Sequence, residues 1–246
     1  MAHDGQDVTF EDTTILTDAL QLSAAALSPC VTLLDSATAY VRTLVSRDGR
    51  VSARLIEQHQ TATHGLAWLA TYVEALRQMH RWAHTLQTEG KFGEVEKLLL
   101  QIGFGEYLAQ ILGGIPISQS EILRLQDIVP SQQDIDQMRT PEIITLTRLG
   151  NSQTARSRLV ILMQEQSANI TTGACGLDDE LEMIREQFYR YAAERVEPYA
   201  HEWHLKDELI PMEIIEDLAE MGVFGLTIPE EFGGFGLSKA SMAVVS

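Results

Sequence analysis

Histidines at helical spacing are the residues of this 246-residue chain whose types and positions suggest chemistry most directly. His80 and His84 stand four residues apart, so on a helix both rings would lie on one side and could share a metal ion. Two further pairs are formed by His59 with His64 and by His201 with His204. No cluster of cysteines or carboxylates completes a ligand set around any pair, so we predict no metal site. His59 and His80 fall on apolar positions of a predicted helix, which favours core histidines.

The other reactive side chains lack the neighbours that catalysis requires. Cys30 and Cys175 have no adjacent His or Lys that would lower the pKa of a thiol, so we interpret both as structural or bystander cysteines. Glu230 and Glu231 are adjacent in a segment expected to be extended, where neighbouring side chains point apart. We therefore assign no residue to catalysis or to cofactor binding. The three tryptophans are interpreted as packing anchors: Trp68, Trp82 and Trp203.

Composition narrows the class of protein further. Apolar residues make up 45% and charged residues 22% of the chain, and the formal net charge is -17. This negative charge disfavours non-specific binding to nucleic acid and to anionic membrane surfaces. No stretch approaches the ~20 apolar residues of a transmembrane helix, and the polar N-terminus does not read as a signal peptide. With two cysteines and no disulfide framework, we expect a cytoplasmic protein without nucleic-acid or membrane partners.

The elements that must position these residues are predicted to be helices, because the chain is rich in Ala, Leu, Glu and Gln. The strongest pattern is an apolar stripe from Leu55 to Ala83 at alternating spacings of four and three, which predicts one helix capped by Ser52 and stopped by Gly90. Such a long helix needs partner helices along its length. The fold class is therefore all-α, a set of helical bundles.

Shorter signals set the remaining boundaries. A helix over 13–28 should end before Pro29, and a second should cover 32–46, followed by a turn at Asp48-Gly49. Helix over 92–112 is expected to break near Gly103 or Gly105. Ser118 with Glu121 resembles a capping box that opens a short helix. Another helix is predicted over 153–166.

Three regions follow from these signals. Residues 1–125 are predicted to be a helical extension, residues 126–176 a linker region with one helix, and residues 177–246 a second helical domain. In that domain Pro198 should kink or end a helix, and Gly222 should stop the next one. The segment 223–228 is expected to be extended.

The highest density of turn-forming residues, glycine and proline, lies in residues 226–238, Leu-Thr-Ile-Pro-Glu-Glu-Phe-Gly-Gly-Phe-Gly-Leu-Ser. We call this segment the glycine loop. Gly233, Gly234 and Gly236 offer three positions for positive φ. Phe232 and Phe235 should seek burial and anchor the loop. No strand precedes the glycines and no Gly-Lys-Ser/Thr follows, so neither a dinucleotide fingerprint nor a P-loop is indicated. Ser238 is expected to cap a helix that begins at Lys239.

The order of residues in the last third of the chain resembles the N-terminal helical domain of the acyl-CoA dehydrogenases. The segment Pro229-Glu-Glu-Phe-Gly-Gly-Phe-Gly-Leu237 is highly characteristic of that family. The supporting residues precede it in the family's order: Arg185, Phe188, 193–198, Glu202-Trp203, Ile210-Pro211, Met221-Gly222 and Gly225.

The preceding region resembles the extension of a bacterial branch of that family, the methylsuccinyl-CoA dehydrogenases. Three segments carry this likeness: 39–42, 60–79 and 104–119. Gln110-Ile-Leu-Gly113-Gly114 is also similar to a Gln-x-x-Gly-Gly segment of the family's C-terminal helical domain, which meets the flavin pyrophosphate across a dimer contact. Here Ile115-Pro116 replaces a further glycine, and Pro lacks an N–H donor. A structural copy without flavin is favoured over a second flavin contact.

The resemblance implies an FAD-dependent α,β-dehydrogenation of an acyl-CoA, here methylsuccinyl-CoA to mesaconyl-CoA in the ethylmalonyl-CoA pathway. It also implies electron transfer to an electron-transfer flavoprotein and a homo-oligomer. The glycine loop would form part of the wall of the acyl and flavin cleft. Because the chain stops inside an apolar run, we expect a fragment whose β domain and catalytic base lie beyond Ser246, inactive alone. The alternative is a non-catalytic helical module for binding or oligomerisation that docks through the 52–87 helix.

Overall fold

The computed structural model describes residues 14–166 and 172–246. The chain divides into two compact units, Met1–Cys175 and Gly176–Ser246, and each is described by itself. In both units nearly all regular structure is helical, which confirms the predicted all-α class. The second unit begins one residue before the predicted position 177.

Three long helices form the frame of the first unit. They are α1 (Ala19–Val45), α3 (Gln60–Thr88) and α4 (Glu94–Gly113). The shorter elements are α2 (Ala53–Gln58), α5 (Gln132–Asp136), α6 (Pro141–Thr145), α7 (Gln153–Glu165), and two small hairpins, β1–β2 (Ser46–Arg47, Arg50–Val51) and β3–β4 (Ile115–Pro116, Ile122–Leu123). Buried residues of α1, α3 and α4 form one continuous core.

The first helix continues through Pro29, so the predicted end before this proline is wrong. The predicted helices 13–28 and 32–46 are one element, and the predicted start at residue 13 lies outside the described residues. Proline removes one helical hydrogen bond but leaves the buried face intact. Ala26, Cys30 and Leu33 are buried on that face. Packing against the core therefore outweighs the local cost of the proline.

Helix α1 is also long and apolar enough to qualify as a membrane-crossing segment, contrary to our expectation that no stretch would. Length and composition alone give this result. In the structure one side of α1 is buried in the core from Ala19 to Val45 and packs against α3 and α4. A core helix of this kind meets the same criterion.

The long apolar stripe is divided between two helices. The helix breaks at His59, where φ is -115° and ψ is 37°, and Ser52 makes no side-chain capping bond. The second of these helices, α3, stops before Gly90 as predicted, and the φ angle of Gly90 is +70°. The Lys91 N–H bonds the Leu86 carbonyl at 2.8 Å and the Gly90 N–H bonds the Gln87 carbonyl at 3.3 Å, which is a Schellman motif.

Helix α4 continues through Gly103 and Gly105, so the predicted break is wrong. At both positions the missing side chain leaves room for a residue of another element. The Met79 side chain lies against Gly103. A Cβ at Gly105 would stand 2.7 Å from the Leu146 carbonyl oxygen and 2.9 Å from the Asn151 nitrogen. The glycines therefore let α3 and the 146–151 segment approach α4 closely.

The predicted linker does not begin at residue 126. Ile128, Val129, Met138, Ile143 and Leu146 belong to the core of the first unit. The predicted helix over 153–166 is confirmed as α7. The Gln- and Asp-rich composition around Pro130 and Pro141 predicts a linker, but the apolar residues of this segment pack inward.

Ser118 does not cap a helix. It lies in the turn between β3 and β4, where its N–H donates to the Glu121 carbonyl at 3.1 Å. The Asp48-Gly49 turn is confirmed and joins β1 to β2, with φ of 51° and 76° at the two residues. Two positive φ angles match the right-handed twist of a two-residue hairpin.

The second unit contains α8 (Asp179–Tyr191), α9 (Glu197–Leu205), α10 (Met212–Glu220) and α11 (Lys239–Val245). Pro198 stands in the first turn of α9, after a π-helical turn at Ala192–Val196, so the predicted interruption is confirmed. Gly222 ends α10 with φ of +81°, also as predicted. The 223–228 segment is not extended, because Val223–Gly225 forms a 3-10 turn.

Candidate functional site

The glycine loop folds back on itself through backbone hydrogen bonds. The Phe235 N–H donates to the Gly225 carbonyl at 2.9 Å, and the Leu237 N–H donates to the Leu226 carbonyl at 2.8 Å. Gly236 donates to the Ile228 carbonyl at 2.8 Å. These bonds close the predicted tight loop onto the 225–228 segment.

Two of the three glycines have the left-handed backbone that we predicted. The φ angle is +84° at Gly233 and +62° at Gly236. Gly234 is required for a steric reason, because a Cβ there would overlap the backbone of Ile228. Glu230 and Glu231 stand in a 3-10 turn and not in an extended segment. The loop geometry thus depends on all three glycines, for two different reasons.

The aromatic side chains are far more exposed than we predicted. Phe232 is 74% exposed and Phe235 is 55% exposed. Phe235 still packs against Gly222, which precedes the loop: its Cε2 lies 2.6 Å from the ideal Cβ position of that glycine. Together with exposed Phe224 and Ile228, the two rings give the second unit an apolar surface.

Helix α11 begins directly after the loop. The Ser238 Oγ accepts from the Ser241 N–H at 3.4 Å, which confirms the predicted cap, although the bond is long. Ser241 is buried. Packing of α11 against α8 ties the end of the loop to the body of the unit.

The site offers an apolar wall and no anion cradle. The N–H groups of Phe232, Gly233, Gly234 and those of 235–237 all donate to carbonyls of the segment 225–230. No N–H group in this run is left to bind a phosphate. The loop can therefore line an apolar cleft, whereas a flavin pyrophosphate does not fit these residues.

The Gln110 segment of the first unit does not fit a pyrophosphate either. The Gln110 side chain accepts from the Tyr72 hydroxyl and donates to Glu106 Oε1 at 2.7 Å. Arg124 contacts Gly114 and donates to the Gly113 carbonyl. Both groups that a flavin contact would need are engaged within the unit, in agreement with a structural copy.

Sequence reasoning missed the polar network around Glu106. The Glu106 carboxylate also accepts from the Asn151 side chain and pairs with Arg156 at 3.5 Å. Burial, and then the neighbouring Tyr107 and Glu106, raise the pKa of Tyr72. The four-residue spacing of Glu106 and Gln110 was a usable signal for their contact, but Asn151 is distant in sequence.

A second missed contact holds the segment that leads out of the first unit. Buried Glu96 accepts from the Gly93 N–H at 2.9 Å and from the Ala174 N–H at 2.7 Å. The Trp82 indole N–H donates to the Ala174 carbonyl at 3.0 Å. The Gly93–Glu96 spacing of three residues is the capping-box signal, whereas nothing local indicates Ala174.

The histidine pairs do not form metal sites in the described residues. Among positions 14–166 and 172–246, no group of three or more His, Cys, Asp or Glu residues could hold a metal ion. The rings of His80 and His84 are 6.4 Å apart between centroids. His59 is half-buried at the junction of α2 and α3 and not within one continuous helix.

His80 is half-buried and bonds Ser23. Its Nδ1 lies 2.9 Å from the Ser23 Oγ, and that hydroxyl donates to the Leu20 carbonyl at 2.8 Å. Because the single Ser23 proton is used on Leu20, His80 Nδ1 must carry the proton and donate. Burial and, to a smaller extent, His84 lower the pKa of His80. This is a structural histidine, and Ser23 is not positioned as a nucleophile.

His64 has a defined tautomer of its own. The Trp68 indole N–H donates to His64 Nε2 at 3.0 Å, so in the neutral ring Nδ1 carries the proton. Nδ1 lies 3.3 Å from Glu121 Oε1, on the β3–β4 turn. His64 is exposed, Trp68 and Glu121 are half-buried, and the three side chains link α3 to that turn.

The remaining candidates behave as packing residues. Burial raises the pKa of the Cys30 thiol to about 12, so the reactive thiolate is disfavoured. No disulfide joins Cys30 and Cys175. Trp68 and Trp82 pack against the core of the first unit, as predicted. Trp203 stacks on Tyr199 with ring centroids 6.0 Å apart, on the partly exposed surface of α9.

Comparison with known proteins agrees with this geometry. The family described as "Acyl-CoA dehydrogenase, N-terminal domain" matches residues 178–246. The chain is 58% identical over 233 residues to "(2S)-methylsuccinyl-CoA dehydrogenase" of Cereibacter sphaeroides, covering 94% of this chain and 42% of that protein. A match of this length leaves 13 of the 246 residues outside it, so it includes most of the region before residue 177.

Two other relatives match more weakly. "Isobutyryl-CoA dehydrogenase, mitochondrial" of Dictyostelium discoideum is 26% identical over 41% of this chain and 24% of its own length. "Glutaryl-CoA dehydrogenase" of Desulfococcus multivorans is 29% identical over 28% of this chain and 18% of its own length. The chain thus spans less than half the length of these relatives. The chain is thus similar to acyl-CoA dehydrogenases, and its residues 178–246 match the N-terminal domain of that family.

Proposed function

We propose that this chain is the N-terminal part of an FAD-dependent dehydrogenase that converts (2S)-methylsuccinyl-CoA to mesaconyl-CoA. The observation that carries the proposal is the 58% identity over 94% of the chain to a protein of that name. The identity extends well beyond the domain shared with other acyl-CoA dehydrogenases, which matches only residues 178–246. The substrate is therefore inferred from both units together.

The contribution of this chain would be to shape the site. The glycine loop presents exposed Phe232 and Phe235, which suit the wall of an apolar cleft from which water is excluded. FAD, when bound, supplies the oxidant that accepts the β hydrogen of the acyl group. Neither the loop nor the Gln110 segment fits its pyrophosphate, so the phosphate contacts are expected from other residues of the longer protein.

The wider setting follows from the family resemblance. An electron-transfer flavoprotein would accept the electrons, the protein would be a homo-oligomer, and the reaction would belong to the ethylmalonyl-CoA pathway. A cytoplasmic location is part of the same proposal, and two cysteines that no disulfide joins suit a reducing compartment.

The alternative of a docking module is less well supported. It required the apolar stripe of the long helix to be available to a partner. Leu69, Val73 and Leu76 of that stripe are fully buried in the core of the first unit. The face is already occupied within the chain.

Steady-state assays with an artificial electron acceptor test the proposal. We expect the full-length protein to oxidise (2S)-methylsuccinyl-CoA with a higher kcat/KM than isobutyryl-CoA or glutaryl-CoA, and to be purified with a flavin spectrum. The 246-residue chain alone should show no turnover. A full-length protein that prefers isobutyryl-CoA or glutaryl-CoA would overturn the assigned substrate. Turnover by the 246-residue chain would overturn the proposal that the catalytic residues lie elsewhere in the longer protein.

A further inference from the structure

Four arginines cluster around the β1–β2 hairpin of the first unit. Arg42 is in the last turn of α1, Arg47 and Arg50 are in the hairpin, and Arg54 is in the first turn of α2. All four are exposed. We call them the arginine patch. Residues 42–57 contain these four arginines and two carboxylates, Asp48 and Glu57, so this segment carries a surplus of two positive charges in a chain whose net charge is -17.

The patch is not neutralised by its neighbours. Within residues 14–166 and 172–246, none of the four arginines has a carboxylate within ion-pair distance. Arg47 and Arg50 are moreover direct cross-strand partners. Like charges placed directly opposite in a hairpin destabilise it, and a bound anion would remove that cost.

An apolar groove lies beside the patch. It is an open cavity of about 210 Å³ lined by Val41, Val45, Val51, Ile56, Leu66 and, among others, Arg42. Val51 is 63% exposed, and Ile56 is also exposed. At ~30 Å³ for each water in the liquid, the cavity has the volume of about seven waters, which suits one aliphatic side chain.

We propose that this groove and the arginine patch together bind an acidic polypeptide segment that inserts one aliphatic side chain. Carboxylates of the segment would pair with Arg47 and Arg50, and the side chain would fill the cavity between Val51 and Ile56. Charge complementarity is the reason for this choice, because a cationic rim around an apolar floor selects an anionic partner with an apolar anchor.

An anionic lipid surface fits the same features less well. The groove is a small concave cavity, whereas a bilayer requires a broad apolar face. The polypeptide is therefore the occupant that the observations favour.

The test uses the full-length protein and a fluorescein-labelled peptide, Asp-Glu-Asp-Leu-Glu-Asp-Glu, in fluorescence anisotropy titrations. We expect saturable binding that weakens as the salt concentration rises. A second peptide with Ser in place of Leu should bind several times more weakly, because it cannot fill the groove. Absence of saturable binding, or equal binding of the two peptides, would overturn the proposal.

Matched variants locate the site. The double substitution Arg47→Glu and Arg50→Glu should weaken binding by at least about tenfold, and Val51→Ser should remove most of the difference between the peptides. Arg81→Glu is the control, since Arg81 is also exposed but lies 15 residues beyond Leu66 on α3, about 22 Å along the helix axis. An equal effect of the control would reject the site. Binding to phosphatidylserine vesicles without binding to the peptide would replace the polypeptide by a lipid and overturn the proposal.

Discussion

The two units of this chain bury their apolar residues to very different extents. In the first unit, side chains from α1, α3, α4 and the segment 115–146 form one core with many fully buried members, such as Leu69, Leu76 and Phe104. In the described residues of the second unit, the buried apolar side chains are Phe188, Ile214 and Leu226, each 7–9% exposed. Large apolar side chains such as Leu209 and Phe232 are largely in contact with solvent.

The unit with the motif that resembles the family is therefore not the unit with the larger buried core. The second unit carries the motif that identifies the family, and its shape depends on backbone hydrogen bonds in the glycine loop more than on a core. The first unit lacks such a motif but contains the packing from which most folding free energy derives. An exposed apolar surface of this kind is typical of a region that contacts other polypeptide or ligand.

Truncating one leucine in each unit should give the largest contrast. Leu76→Ala removes a fully buried side chain and should lower the free energy of unfolding by about 3 kcal/mol. Leu209→Ala is the matched change at a 91% exposed position and should cost less than about 0.5 kcal/mol. Urea denaturation followed by circular dichroism measures both. Similar losses of unfolding free energy in the two variants would contradict the view that only the first unit is stabilised by a packed core.

Adding a methyl group at close contacts should sharpen the comparison. Gly105→Ala places a Cβ against the Leu146 carbonyl in the packed first unit, so a loss of about 2 kcal/mol is expected. Gly234→Ala creates a clash with Ile228 in a loop whose side chains are largely exposed, so fewer packed neighbours are displaced and it should cost about 1 kcal/mol.

Gly113→Ala is the control for these two changes, because no neighbour lies within 4 Å of its ideal Cβ. Thermal unfolding of the three variants ranks them. A larger loss at Gly234 than at Gly105 would contradict the view that the loop is the more compliant of the two sites.

The smallest predicted effect is a pH dependence confined to the first unit. Folding lowers the pKa of His80 from 6.5, so the folded protein disfavours the protonated ring. The contribution of the neutral ring to the free energy of unfolding is therefore complete above about pH 6.5. It is lost as the pH falls through the folded-state pKa. His80→Gln should abolish a loss of less than about 1 kcal/mol between pH 7.5 and 5.5.

Urea titrations at the two pH values measure this loss. His84→Gln is the control, and it should reduce the loss only slightly because His84 is the smaller cause of the shift. An unchanged pH dependence in His80→Gln would assign it to other groups.

Local sequence signals predicted the helices and several of their ends, but not the effects of distant contacts. Gly90 and Gly222 end helices as expected, because positive φ is a local property. Pro29 was read as an end because its cost is local, whereas the burial of Ala26 and Cys30 that offsets this cost depends on α3 and α4. The same holds for Gly105, whose neighbour Asn151 is far along the chain.

The candidate site shows the same division. The glycines of the loop and the Ser238 cap could be predicted, since turn chemistry depends on residue type and spacing. The exposure of Phe232 could not, because an aromatic side chain seeks burial only where a partner surface exists. The Gln110–Glu106 contact follows from their spacing on α4, whereas the bond between Gln110 and Tyr72 required the packing of α3 against α4.

The distribution of indole rings gives the molecule its own optical reporters. Trp68 and Trp82 belong to the first unit, and Trp203 to the second. Emission from a variant that retains Trp203 alone would follow the second unit without contribution from the first. Because the Trp82 indole is bonded to the Ala174 carbonyl, its emission would report whether the segment leading out of the first unit is seated or released.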